Sequence, residues 1–330
     1  MAIKRTEPNT TINEQLALSL LPKRLAGAHK WSIGGVLIIG GAPGYIGAPA
    51  LAARAAGRSG AGIVSVAASR TAVASIATLV PEATFVPLPD GETQSCADRA
   101  NDLIGERLER CKAVVVGPGL SQDDQATALL AVLFGRNSRT HGASFGFGSS
   151  ALNRTDDRDG QLLGAEKPSV VDADALTWLS TQDSWWSSME RGTLVLTPHE
   201  GEMARLLDVS AAELSGSREE LARQAAATWN QIVVLKGHQT VVTDGQFVRI
   251  GPLSPLSLAT AGTGDVLAGS IGAFLAQGLS PLDAAALAIY LGCRAAEDLQ
   301  ATYGVLGVVA GDLPDAIGLQ VAELERSQSS

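Results

Sequence analysis

Short apolar runs, each closed by a glycine or polar turn, recur along this chain, and that recurrence limits its fold more than any other feature. Residues 36–39 run into the turn GGAPGYIG and then into an alanine-rich stretch from about 48 to 58. Gly60-Ala61-Gly62 separates that stretch from the next apolar run, 63–67. Strand, helix and strand in this order form a βαβ unit, because parallel neighbours need a crossover between them. The rhythm continues. Ala113–Val116 ends in Gly117-Pro118-Gly119, Ser169–Val171 in Asp172, 193–196 in Thr197-Pro198-His199, and Ile232–Leu235 in Lys236-Gly237. A mostly parallel α/β sheet follows, with its ligand-binding loops outside the carboxyl ends of the strands. Runs 241–243 and 247–250 flank Asp244-Gly245, a hairpin signal, and helices are expected over 264–277 and 281–300.

The 330 residues allow one large domain, and the chain reads as a polar lead-in (1–20), a single domain (21–318) and a C-terminal tail (319–330). Within it, 136–166 has neither helical nor strand periodicity and reads as a flexible insertion. A formal charge of −9 argues against nucleic acid or an anionic membrane as partner. Cys96, Cys111 and Cys293 lack metal-ligand spacing and suit reduced thiols in a cytoplasmic protein. The uncharged stretch 266–282 carries Gly, Ser, Gln and Pro, which fits a buried helix and turn better than a membrane span.

The strongest chemical signal is Ala259-Thr260-Ala261-Gly262-Thr263-Gly264-Asp265, just before an apolar helix. Glycines at 262 and 264 let backbone N–H groups converge, and the helix N-terminus adds positive potential suited to a phosphate. Asp265 falls in the first turn, where it can accept a proton from an attacking hydroxyl or serve only as an acidic cap. Lys236, at a strand end beside Gly237, suits a phosphate contact or is a lone surface lysine. His199 sits in the tight loop Thr197-Pro198-His199-Glu200-Gly201-Glu202, as a substrate ligand or an incidental part of a helix cap. Of Asp172 and Asp174, one suits Mg²⁺ or water and the other a helix cap; Glu200 and Glu202 are further oxygen ligands or plain helix-start acids.

ATAGTGDVLAG resembles the anion hole and catalytic aspartate of the ribokinase-like superfamily. Together with Ala28-His29-Lys30, the stretch 40–66, VVVGPGL, VDADAL, LTPHEGEMARLL and VVLKGHQTVV, it resembles the ADP-dependent NAD(P)H-hydrate dehydratases, which repair hydrated nicotinamide cofactors. The matches run in order from about residue 20 to 315. The resemblance implies a three-layer α/β/α sandwich with a mostly parallel central sheet, ADP as co-substrate and Mg²⁺ as cofactor. It implies Asp265 as the catalytic residue. Nucleotide contacts are implied for Lys236, Gly237, His238, Gln239, Thr240, Gly262, Thr263 and Gly264, and substrate contacts for Ala48, Gly119, Ser121, His199 and Asp265. Asp172 and Glu202 are the candidate metal ligands. It further implies a lyase working alongside a separate NAD(P)H-hydrate epimerase, and a homo-oligomer such as a tetramer. Ser121 departs from the pattern, which has glycine there, and its Cβ narrows the accessible backbone.

Three other readings compete. A vitamin-precursor or sugar kinase would share the anion hole and Asp265. A nucleotide-sensing module would bind without turnover. An NAD-dependent dehydrogenase would use the turn Gly41-x-x-Gly44-x-x-Gly47, but that spacing is not G-x-G-x-x-G and it leaves GTGD unexplained.

Overall fold

The computed structural model describes residues 9–136 and 161–329, so most of the expected insertion, 137–160, lies outside the described residues. Ten strands form one sheet: β1 (Asn9–Thr11), β2 (Gly35–Ile39), β3 (Ile63–Ser69), β4 (Thr84–Leu88), β5 (Ala113–Val116), β6 (Ser169–Val171), β7 (Leu194–Leu196), β8 (Ile232–Leu235), β9 (Gln239–Thr243) and β10 (Val248–Leu253). Their order is β1-β10-β9-β8-β7-β6-β5-β2-β3-β4. Only β9, among the described strands, runs against its neighbours.

Alternation along the strands divides the core in two. Val36 and Ile38 of β2 face one layer, with helices Gly47–Arg58, Thr263–Ala276, Pro281–Tyr303 and Leu313–Ser329. Leu37 and Ile39 face the other, with Gln94–Leu108, Asp124–Leu133, Ala173–Leu179 and Arg218–Trp229. This is the expected three-layer sandwich. Small residues bring the first layer very close: a Cβ on Gly269 would lie 2.1 Å from the Ala52 carbonyl oxygen. No helix among the described residues is long and apolar enough to cross a membrane.

The chain steps outward from β2 through β3 to β4, then returns to the other side of β2 for β5 and continues to β8. The crevice for ligands in such sheets lies where the order reverses, here between β2 and β5. There the amides of Gly41 and Ala42 donate to the Gly119 carbonyl at 3.0 and 2.8 Å, joining the two glycine loops. A Cβ on Gly40 would fall 2.0 Å from the Pro118 carbonyl oxygen, so that junction requires glycine.

Both chain ends depart from the sequence reading. Residues 9–20, read as a loose lead-in, form β1, paired in parallel with β10, and the helix Glu14–Leu20, capped by the Asn13 side chain. Ile12 and Ala17 are buried. The expected tail continues the helix Leu313–Ser329, whose Leu324 is buried and whose Gln328 donates to the Leu18 carbonyl. β4 has no counterpart in the sequence reading; it is a sheet edge containing Pro87, where a missing N–H is tolerated.

Candidate active site

Strand ends and helix starts converge on one acidic, lysine-centred cluster. Lys236, at the end of β8, places Nζ 2.9 Å from Asp172 Oδ1 at the end of β6 and 3.8 Å from Glu202 Oε2. Thr197, at the end of β7, donates to the same Asp172 oxygen at 2.7 Å. Opposite them, Gly262 takes a left-handed φ of 92° and opens the helix Thr263–Ala276. Thr263 uses its hydroxyl to hold that turn, donating to the Leu258 and Thr260 carbonyls at 3.0 Å. The amides of Gly264 and Asp265 are thus left as first-turn donors, which helix geometry gives no intrahelical acceptor. An added Cβ on Gly264 would approach Lys236 Nζ to 3.3 Å. Glycine therefore lets the turn and the ammonium approach each other closely.

The electrostatics match this geometry. Burial pushes the Asp265 carboxyl up to about 7; the charges of Asp172 and Asp174 add to the shift, and Lys236 opposes it. Burial also raises Glu202, against the pull of Lys236. Burial alone would lower Lys236, but the surrounding carboxylates, Asp172 foremost, more than offset it and keep the ammonium charged. One half-buried cation thus serves several acids, and removing it would leave Asp172, 2% exposed, as a buried charge without its cation.

The predicted nucleotide residues separate. Lys236, Gly237, His238, Thr240, Thr263 and Gly264 line a cavity of about 400 Å³ that extends between the last three long helices. Gln239 does not line it; its side chain donates to the Gly251 carbonyl. Gly262 shapes the turn from behind, against Leu51 and Ala310. Among the predicted substrate residues, Gly119 packs on Tyr45 and Ala48, where its φ of 59° and the 2.5 Å that an added Cβ would leave to the Tyr45 carbonyl oxygen exclude a side chain. Ser121 takes a φ of 76°, with its amide bonded to Asp174 Oδ2 at 2.9 Å. Asp174 therefore fastens the Gly117–Ser121 loop, while Asp172 faces Lys236.

His199 turns out to be a helix cap. Its Nδ1 accepts from the amides of Gly201 and Glu202, and Glu202 Oε2 accepts from the His199 amide. Nε2 remains at an exposed face, 3.6 Å from Glu202 Oε1. Asp172 and Glu202 do not fit as a pair of Mg²⁺ ligands, since Lys236 already supplies the positive charge between them. No group of three or more His, Cys, Asp or Glu among the described residues is placed to hold a metal ion.

Two contributors escaped the sequence reading. Thr197 orients Asp172, and Arg218 ties down the lysine turn by donating to the carbonyls of Leu235, Lys236 and Gln239 while pairing with Glu200. Thr197 lay inside a motif already singled out. Arg218 gave no local signal, because its partners are distant in sequence.

A mostly parallel sheet with its crevice at the β2–β5 reversal, and a glycine turn feeding a helix opposite a half-buried lysine, define a ribokinase-like α/β fold. A family model described as NAD(P)H-hydrate dehydratase matches residues 36–318, and the chain belongs to that family. A bifunctional NAD(P)H-hydrate repair enzyme of Moorella thermoacetica is 38% identical over 309 residues, covering 93% of this chain and 53% of the relative. The chain thus spans about half the length of such bifunctional relatives. An ADP-dependent (S)-NAD(P)H-hydrate dehydratase of Neisseria meningitidis is 32% identical over 297 residues, covering 89% of this chain and 86% of the relative. The ADP/ATP-dependent NAD(P)H-hydrate dehydratase of Bacillus subtilis, co-crystallised with ATP/Mg²⁺, superposes with a TM-score of 0.74 at 29% identity, covering 95% of this chain and 98% of that one.

Proposed function

We propose that the chain dehydrates the S form of hydrated NADH or NADPH at the expense of ADP, releasing NAD(P)H, AMP and phosphate. The observation that carries this reading is Asp265: a half-buried carboxyl, pushed up to about 7 by desolvation, at the mouth of a glycine turn that faces Lys236. The nucleoside of ADP occupies the apolar cavity, and its phosphates lie between Lys236 and the amides of Gly264 and Asp265. The hydrated ring lies on the Ala48, Gly119 and Ser121 side, beside His199.

Asp265 takes the proton as the ring hydroxyl oxygen bonds to the terminal phosphorus of ADP and AMP leaves. The first-turn amides and Lys236 stabilise the charge that develops. The carbon–oxygen bond to the new phosphate then breaks, driven by the ring nitrogen's electron pair. Loss of a proton from the neighbouring ring carbon restores the dihydronicotinamide. Mg²⁺ belongs to this reading as a companion of the phosphates, and no step above depends on it. An epimerase supplying the S form, a cytoplasmic setting and self-association complete the proposal. A kinase outcome is disfavoured because the family match covers the loops on the substrate side as well as the anion hole.

The test mixes the protein with hydrated NADH, Mg²⁺ and either ADP or ATP, and follows dihydronicotinamide absorbance together with phosphate release. Recovery with ADP is expected. No recovery with either nucleotide would overturn the proposal.

A further inference from the structure

The cavity beside Lys236 has an aliphatic wall, to which Leu256, Leu258, Val266, Leu267 and Ile289 contribute. Ser270 interrupts it. This residue lines the cavity, is 1% exposed, and carries a hydroxyl with no hydrogen-bond partner among the described residues. Buried hydroxyls are paired in nearly all folded proteins, so an unpaired one on a cavity-lining residue marks a place where a small side-chain turn lets a ligand complete the bond.

Its position says which part of a ligand that is. Thr263, Gly264, Val266, Leu267 and Ser270 line the cavity from the same helix. Ser270 lies six residues beyond Gly264, roughly 9 Å along the axis at the helical rise. That is about the separation of the diphosphate from the base in a nucleoside diphosphate. With phosphates at Gly264 and Lys236, the base reaches Ser270. Two other polar groups on the wall are occupied or poor partners. Ser254 donates to the Gly237 carbonyl, and burial pushes the Cys293 thiol up to about 12, leaving it a neutral, weak donor.

We propose that Ser270 reads the base of the nucleotide co-substrate, its hydroxyl forming a hydrogen bond with the polar edge of a purine whose faces lie against aliphatic side chains. This rests on the cavity's being the nucleotide site of the proposed dehydratase. A serine that reads the base differs from a structural one in the sign of two effects. In the ligand-free protein the unpaired hydroxyl is a liability, so Ser270→Ala removes a buried polar group and improves helix propensity. In the complex the same change deletes a bond.

The experiment is calorimetric titration of wild type and Ser270→Ala with ADP and with inorganic pyrophosphate, together with thermal unfolding of the ligand-free proteins and kcat at saturating ADP. We expect Ser270→Ala to bind ADP about tenfold more weakly, to bind pyrophosphate unchanged, to keep its kcat, and to melt higher than wild type. Equal ADP affinity in the two proteins would overturn the inference. So would an equal loss for pyrophosphate, which would place the effect on the phosphate site, or a lower melting temperature. Failure of the wild type to bind ADP at all would instead remove the nucleotide reading on which the inference stands.

Discussion

Asp265 is the residue at which the proposed catalysis and stability oppose each other. Its folded-state pKa of about 7 lies above the ordinary 3.8, so the native state retains a proton that the unfolded chain releases. The stability from that retained proton is full below 3.8 and is lost as pH climbs toward 7. Above 7 the group is the charged base that the proposed reaction needs. Turnover should therefore rise with pH through about 7, read from kcat/KM at fixed ADP. Asp265→Asn should lower turnover by about 10²–10⁴-fold while ADP still binds. It should also melt above wild type at pH 8, with a smaller gap at pH 5; a gap independent of pH would place the perturbation elsewhere. Ser121 offers a second residue-scale prediction. At φ 76° it occupies a region favourable to glycine, and its Oγ donates to Asp123 at 3.0 Å. Ser121→Gly relieves backbone strain and Ser121→Ala keeps it while losing the bond, so the two should differ by about 1 kcal/mol in urea unfolding, glycine the more stable.

At the scale of elements, the site depends on how closely two helices approach. Gly47–Arg58 begins beside Ala48 and Gly119, Thr263–Ala276 begins at the anion turn, and they meet where Gly269 lies under the Ala52 carbonyl. Gly269→Ala forces that contact apart. It should cost about 1–3 kcal/mol and weaken ADP binding, because the shifted helix carries Gly264 and Asp265 with it. Gly57→Ala, on the exposed side of the first helix with nothing within 4 Å of an added Cβ, should instead stabilise by about 0.5–1 kcal/mol. Unfolding curves and ADP titrations for the pair separate packing from propensity. The same scale explains what the sequence revealed. The loops after β2, β5, β6, β7 and β8 were legible because glycine, proline and polar residues punctuate each strand end locally. The helices at 263–276 and 281–303 were legible to within a few residues from their apolar length. Arg218, Thr197 as a clamp on Asp172, and the capping role of His199 Nδ1 were not, because each depends on where another element places its acceptor. The edge strand β4 was also illegible: half-exposed and carrying a proline, it lacks the apolar run that marks the central strands.

For the whole molecule, the N-terminal segment matters more than its polar composition suggests. β1 extends the sheet beyond β10, Ile12 and Ala17 enter the core, and the helix Glu14–Leu20 is linked to the last helix through Leu18 and Gln328. That last helix contributes Leu313 and Ile317 to the cavity wall, and Pro281–Tyr303 contributes Ile289 and Cys293. The segment therefore supports, from outside, the two helices that enclose the proposed base site, while the anion turn is held independently by Thr263 and Thr260. Deleting residues 1–20 should lower the melting temperature and weaken ADP more than pyrophosphate, since the cavity loosens and the phosphate end keeps its own supports. Ile12→Ala should do the same in smaller measure, costing about 2–4 kcal/mol for a fully buried aliphatic side chain. Thermal unfolding and paired titrations of both variants test this. Equal losses for the two ligands would mean that the sheet edge and the anion turn respond as one cooperative unit.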